Sequence, residues 1–331
     1  MKIHVGLQNH PRGLRHPVLA IGTFDGVHLG HQQVLRLSRE LARSCGGTTV
    51  AVTFYPHPLR VLNPEHAPAM LQTFGQRCAT LQSLGVDVLW VIPFTWEMAQ
   101  LSHRQFAEEI LCRQVKAQHI CIGRNFHFGF GRKGNPAYLR QLGMTEGFSV
   151  QEVAEVLYRN LPVRSTGIRR LLLHGRVRLA AKLLGRPPSL VGSVVHGNGF
   201  GARLGFPTAN MIPENELLPQ NGVYLTIVVR QGKQYPGVTN IGVRPTMEQA
   251  SASRMVHLET HLLEFSGDLY GEDIELYLLA RLRQERKFEN PEALRHQIAR
   301  DCRRARRFFD KQTESYANIT GTFDFTFNPA S

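Results

Sequence analysis

The chain has 331 residues, 42% of them hydrophobic and 20% charged, the makeup of a soluble globular protein with room for two cores and not of a disordered chain. Its five cysteines (Cys45, Cys78, Cys112, Cys121 and Cys302) are odd in number and scattered, with no Cys-x-x-Cys pair. That argues against a disulfide framework and a zinc site and fits a reducing cytoplasm. A formal net charge of +13 admits nucleic acid, an anionic membrane surface or small anionic substrates as partners, while the N-terminus shows no apolar signal core and the longest apolar run, 88–94, is far too short to span a bilayer.

In chain order, Val18–Ile21 reads as a short strand. The helix after it places Val34, Leu35, Ser38, Leu41, Ala42 and Cys45 on one 3.6-residue face. Between strand and helix, Ala20–His31 runs Ala-Ile-Gly-Thr-Phe-Asp-Gly-Val-His-Leu-Gly-His. Gly22, Gly26 and Gly30 let the backbone approach a ligand, and the helix start turns N–H groups and a positive dipole end toward an anion. His28 and His31, three apart, lean to one helical face. There they suit a polyphosphate, donating hydrogen bonds and stabilising charge on a leaving group. The same pair also fits a metal half-site or a solvated turn.

Thr48–Tyr55 is a β-branched run ending at Pro56-His57-Pro58. A helix is predicted over 74–84, a strand over 86–92, a helix over 102–115 capped by Ser102, and a strand over 119–123. Strands alternating with helices predict a doubly wound, mainly parallel sheet with ligands at the strands' carboxyl ends. Three segments follow such ends. His57 sits between two stiffening prolines. Asn125 lies in a loop carrying Arg124, Arg132 and Lys133 for phosphate oxygens and Phe126, Phe128 and Phe130 for a flat ring, a composition equally that of a mobile lid. Ser165 or Thr166, ahead of the apolar helix of Ile168, Leu171 and Leu172, is a good helix cap; with Arg169 the hydroxyls also suit a phosphate.

Gly185-Arg186-Pro187-Pro188 breaks the helical pattern. Beyond it, 190–196, 223–230, 235–241, 255–263 and 273–282 read as strands with no helix between them, predicting a small antiparallel barrel or sandwich. A helix over 291–309 would turn Leu294, Ile298, Cys302, Ala305 and Phe309 inward, leaving Arg295, Arg300, Arg303, Arg304, Arg306 and Arg307 as a solvated basic face. No interleaved aromatics or helix-turn-helix pattern accompanies these arginines. Residues 311–331 are polar, end in Phe-Asp-Phe-Thr-Phe, and carry no functional signal. In 191–210, Gly197, Gly199, Gly201 and Gly205 make a backbone loop able to wrap phosphates. Thr208 and Asn210 point to one side of an extended stretch and, as hard oxygen donors, suit Mg²⁺ shared with nucleotide phosphates; a glycine-rich hairpin and polar turn is the plainer reading.

Residues 20–31 resemble the Gly-x-Phe-Asp-Gly-x-His-x-Gly-His signature of the nucleotidyltransferase superfamily. Phe-x-Pro-His-Pro at 54–58, Gly-x-Asn-Phe-x-Phe-Gly at 123–129 and Ser-Thr-x-Ile-Arg at 165–169 occur in the order and spacing of the adenylyltransferase half of bacterial riboflavin kinase/FAD synthetases. Leu-Gly-Phe-Pro-Thr-Ala-Asn at 204–210 resembles the riboflavin kinase signature, and Leu258–His261 and Asp268–Gly271 match the same family. The resemblance covers roughly residues 15–310. It implies an N-terminal Rossmann-like nucleotidyltransferase domain over 1–186, a β-barrel riboflavin kinase domain with a C-terminal helix over 187–312, and a tail over 313–331. The second domain would phosphorylate riboflavin from ATP with Glu259 as base, and the first would adenylylate FMN to FAD and release pyrophosphate. The resemblance assigns His28, His31 and Arg169 to catalysis, and Gly22, Phe24, Asp25, Gly26, His57, Asn125, Ser165 and Thr166 to nucleotide and phosphate binding. The chain departs from the family at Arg164, often serine, and at Gly167, often bulkier. Expected partners are ATP, riboflavin, FMN and FAD with Mg²⁺, in a cytoplasmic monomer or weak homo-oligomer that binds neither membrane nor nucleic acid. The rival readings are adenylylation of another phosphate, such as phosphopantetheine or nicotinamide mononucleotide, and a basic nucleic-acid-binding protein on the same folds.

Overall fold

The structure is a computed structural model and describes residues 1–243 and 256–311. The expected tail over 313–331 and Met255, the first residue of one expected strand, lie outside the described residues. Contacts group the chain into two compact units, one of residues 1–69 with 74–164 and one of 70–73 with 165 onward.

The first unit is built on short apolar runs whose alternate side chains fill two opposite cores. Strands β1 (Lys2–Val5), β2 (Pro17–Ile21), β3 (Thr48–Tyr55), β4 (Val88–Pro93), β5 (His119–Gly123) and β6 (Ser149–Val153) form one parallel sheet in the order β1-β4-β3-β2-β5-β6. Leu19, Val50, Trp90 and Ile120 pack on one face with Phe106, Ile110 and Leu111, whereas Val18, Ala20, Ala51, Leu89 and Cys121 pack on the other with Val34, Leu35 and Leu81. Both faces being covered, the central strands are mostly apolar, with Thr49 and Thr53 in β3 the buried polar exceptions, and show no regular polar alternation. The edge strand β1 and the strand β6 carry mixed residues and were not among the expected strands.

Helices α1 (Leu29–Ser44), α2 (Pro58–Leu62), α3 (Phe74–Ser83), α4 (Trp96–Gln100), α5 (His103–Gln105) and α6 (Pro136–Glu146) connect these strands. Ser102 caps α5 through a reciprocal box with Gln105, as its sequence position predicts, but residues 106–114 wind with the wider π pitch. Moving along the chain, β2, β3 and β4 step one way across the sheet and β5 and β6 the other. The order therefore reverses between β2 and β5, and their carboxyl ends frame the crevice where such sheets take ligands. A two-residue hairpin, β7 (Leu157–Tyr158) with β8 (Leu161–Pro162), follows β6.

In the second unit, helix α7 (Ser165–Leu173) begins at Ser165, the first of the two residues expected at its start. Helix α8 (Val177–Leu184) ends at Gly185 in the left-handed conformation. The barrel consists of β9 (Ser189–Val195), β10 (Ala209–Pro213), β11 (Gly222–Arg230), β12 (Lys233–Val243), β13 (Val256–Leu262) and β14 (Asp273–Arg283). These close antiparallel in the order β10-β13-β12-β11-β14-β9. Strand β10 completes the ring that five expected strands left open. Helix α7 is tied to the barrel's loops where the Leu172 carbonyl accepts the Gln220 N–H at 3.0 Å.

A one-turn helix, α9 (Phe200–Arg203), interrupts the glycine-rich loop. The last helix, α10 (Pro291–Asp310), is capped by Asn290 and buries Cys302 and Ala305 against the barrel. Asp301, buried on the same side, pairs with Arg283 at 2.8 Å and accepts from Gln297 at 2.9 Å. Arg300, Arg303, Arg304, Arg306 and Arg307 are exposed, the arrangement of a packed amphipathic helix.

Candidate active sites

Residues 22–28 leave the carboxyl end of β2 in a strained turn. Phe24, Gly26 and Val27 have φ of +49°, +79° and +37°, a conformation that side chains other than glycine adopt only when their surroundings enforce it. Phe24 and Asp25 are buried, so both support the loop from within. His28 is the N-cap of α1, its Nδ1 accepting the His31 N–H at 3.3 Å. That bond places the neutral ring's proton on Nε2, which makes Nε2 the donor. The two imidazoles stack at 3.7 Å with a 16° interplanar angle, and Phe24 meets His31 edge-on at 5.3 Å. Gly30 gives the pair room: a Cβ would stand 3.2 Å from the His28 ring, closer than ordinary contact, and 3.6 Å from the Val163 carbonyl.

The neighbouring strands supply the other expected residues of this unit. His57 follows β3 and caps α2, its Nδ1 accepting the Leu59 N–H at 3.2 Å, so its ring likewise donates from Nε2. Asn125 follows β5 and is exposed, and Phe126 and Phe128 stack at 5.5 Å behind it. Arg77 on α3 had no signal in the sequence, yet it is buried beneath the loop with Nη1 donating to the Thr23 carbonyl at 2.9 Å. Ser165, Thr166 and Arg169 lie on α7 in the second unit.

In the barrel, strand period sorts the residues by face. Leu258, Thr260 and Leu262 are buried, whereas Glu259, between the first two, is half-buried. Cross-strand register sets Asn210 on β10 and Asn240 on β12 directly opposite Glu259, one on each side. Partners directly across a ladder share a face about 4.5–5.5 Å apart at Cβ, so a carboxylate stands between two amides. Asn240 was not among the expected residues; within Val-Thr-Asn-Ile-Gly it has no distinguishing context, and only the register reveals it. The glycine loop lies on the same group: a Cβ at Gly197 would run into the Asn210 amide, and one at Gly201 would meet the Thr208 hydroxyl at 3.0 Å. The loop is fixed where Phe206 N–H donates to the Gly201 carbonyl at 2.9 Å and where the His261 ring bonds the Pro207 carbonyl at 2.8 Å. At its base His196 and Tyr270 stack at 3.8 Å. Gly199 and Gly205 take left-handed φ of +66° and +81° with open space where a Cβ would be, leaving the backbone bare to an incoming group.

Among the described residues no group of three or more His, Cys, Asp or Glu side chains could hold a metal. The donors on this face are hydroxyl and amide oxygens beside one carboxylate. Asn210 is 7% exposed, its amide lying against the glycine loop at Gly197. Such a set fits a hard divalent cation that draws its remaining ligands from a nucleotide.

A family model described as FAD synthetase matches residues 10–167, and one described as riboflavin kinase matches residues 184–309. A protein of Pseudomonas fluorescens named bifunctional riboflavin kinase/FMN adenylyltransferase is 39% identical over 92% of this chain and 97% of its own length. The chain belongs to the bifunctional riboflavin kinase/FMN adenylyltransferase family. Equally named proteins of Buchnera aphidicola (Schizaphis graminum) and Escherichia coli K12 are each 36% identical, over 94% and 88% of this chain and 99% and 92% of their own. The chain therefore carries two activities of flavin biosynthesis, phosphorylation of riboflavin and adenylylation of FMN. A solved structure from Streptococcus pneumoniae, described as a macrolide-efflux protein, superposes with a TM-score of 0.85 at 28% identity over 92% of this chain and 99% of that one. In the present chain no helix among the described residues is long and apolar enough to cross a membrane.

Proposed function

We propose that the two reactions divide between the two sites, with ATP as donor in both and Mg²⁺ as the divalent ion. The observation that carries the kinase assignment is the ladder position of Glu259 between Asn210 and Asn240. There its carboxylate takes the proton of the ribityl 5′-hydroxyl as that oxygen attacks the γ-phosphate. Thr208 and Asn210 would hold the Mg²⁺, which neutralises phosphate charge when bound. The bare backbone of Gly197, Gly199, Gly201 and Gly205 cradles the phosphate chain.

In the first unit the FMN phosphate attacks the α-phosphate of a second ATP and pyrophosphate leaves, with no covalent intermediate on the enzyme. The stacked His28 and His31 at the start of α1 offset charge on the departing pyrophosphate, His28 by donating from Nε2, so catalysis there is positioning and electrostatics. Gly22 and Gly26 shape the loop for the nucleotide, while His57 and Asn125 reach it from the neighbouring strand ends. Ser165, Thr166 and Arg169 are proposed as phosphate ligands on their motif match alone. We place the functional boundary between domains at 186/187, with residues 165–186 serving adenylylation although they pack with the barrel unit. The protein works in the cytoplasm as a monomer or weak homo-oligomer.

Glu259→Ala tests the division of labour. It is expected to abolish FMN formation from riboflavin while sparing FAD formation from supplied FMN. Loss of both in a folded variant would refute the assignment.

A further inference from the structure

Arg77 is charged, 3% exposed, and has no part in the chemistry above. Its Nη1 donates to the Thr23 carbonyl at 2.9 Å, and the Thr53 hydroxyl donates to the same oxygen at 3.2 Å. The Phe74 ring lies 5.4 Å from the guanidinium carbon, within cation–π range. Burial pulls the guanidinium below its ordinary range, and the 1%-exposed Asp25, foremost among the opposing charges, pushes it back. A buried arginine is retained only where its charge and its fork of donors are used.

What it touches is the strained turn. The Thr23 carbonyl belongs to the peptide that enters Phe24, the first of three residues of that turn with positive φ, the others being Gly26 and Val27. Phe24 packs edge-on against His31, and His31 stacks on His28. An unbroken set of contacts thus runs from Arg77 through the Thr23–Phe24 peptide to the imidazole pair. Resting on the adenylylation site proposed above, we propose that Arg77 is a positioning residue for adenylyl transfer. It holds the Gly22–His28 turn in its high-energy conformation and, through Phe24, keeps His28 and His31 aimed at the polyphosphate.

The test uses the full-length chain, because riboflavin phosphorylation in the other unit reports on the integrity of the same molecule. Arg77→Met keeps the bulk and removes both charge and donors. It is expected to lower kcat for FAD formation from FMN about 100-fold, the usual effect of a misplacement near 1 Å. The KM for FMN should stay within about threefold and riboflavin phosphorylation should be unchanged. Arg77→Lys restores the charge and one donor and is expected to recover about tenfold of the loss. Adenylyl transfer within about threefold of wild type in a folded Arg77→Met chain overturns the proposal. So does equal loss in Arg77→Met and Arg77→Lys with a matching fall in melting temperature of the first unit, which would make the residue structural only. His28→Ala, assayed alongside, separates the proposal from its basis: full adenylyl transfer in that variant would show that the site reading itself fails, whatever Arg77 does.

Discussion

Gly197 is the position where one added carbon tests the kinase site. Its backbone lies outside the left-handed region, so alanine is conformationally admissible and the effect is steric. The new Cβ would fall within contact distance of Nδ2, Cγ and Oδ1 of Asn210. To regain ordinary van der Waals separation the amide has to recede by about 1 Å, a misplacement that costs about 100-fold when it strikes a reacting group. Gly197→Ala is therefore expected to reduce kcat/KM for FMN formation about 100-fold, equivalent to ~2.7 kcal/mol of lost transition-state stabilisation. The assay is the initial rate of FMN production from riboflavin with ATP and Mg²⁺, run beside FAD production from supplied FMN, which should not change. Gly232→Ala is the matched control: it sits in the β11–β12 turn at φ +76° with nothing within 4 Å of a Cβ, so it costs about 1–2 kcal/mol of stability and leaves the rate alone. FMN formation within about fivefold of wild type in a folded Gly197→Ala chain would refute the placement of Asn210 in the site.

Gly30→Ala is expected to push the His28 ring off its partner, since the Cβ would lie 3.2 Å from it; FAD formation should fall at least about tenfold with FMN formation intact, as rate measurements on both steps would reveal. Arg283→Met strands the nearly buried Asp301 carboxylate and should cost about 3–5 kcal/mol, measured by urea unfolding of the barrel; adding Asp301→Asn should restore much of it. Glu272 is held below the ordinary carboxylate range, chiefly by its hydrogen bonds to Arg230 at 2.5 and 2.6 Å. A depressed folded-state pKa stabilises above the unfolded value and is lost as pH falls through the folded one. Glu272→Gln should therefore lower stability at neutral pH and flatten its decline in acid, as melting curves across that range would show.

Much of this was legible in the sequence because it is local. Buried runs such as Val18–Ile21 and Thr48–Tyr55 declare themselves as strands, and Ala20–His31 announces a loop-to-helix site by its glycines and histidines. What escaped depends on distant pairing or on weak local signal. Strand β10 is five residues with a proline and an asparagine, read as a motif and not as a strand, although the barrel closes only through it. Edge strand β1 has three exposed residues of four and so no buried pattern to read. Asn240 enters the kinase face through register with β13, and Arg77 reaches the Thr23 carbonyl across 54 positions of chain. Ser165 and Thr166 carry the composition of a helix start, and α7 begins at the first of them, within the residue or two by which helix ends vary.

The most direct test is an end-point assay of the purified full-length protein with riboflavin, ATP and Mg²⁺, the flavins being resolved by chromatography. The account predicts FMN first and FAD after it from the one chain. A folded protein that forms no flavin product with Mg²⁺ present would contradict it.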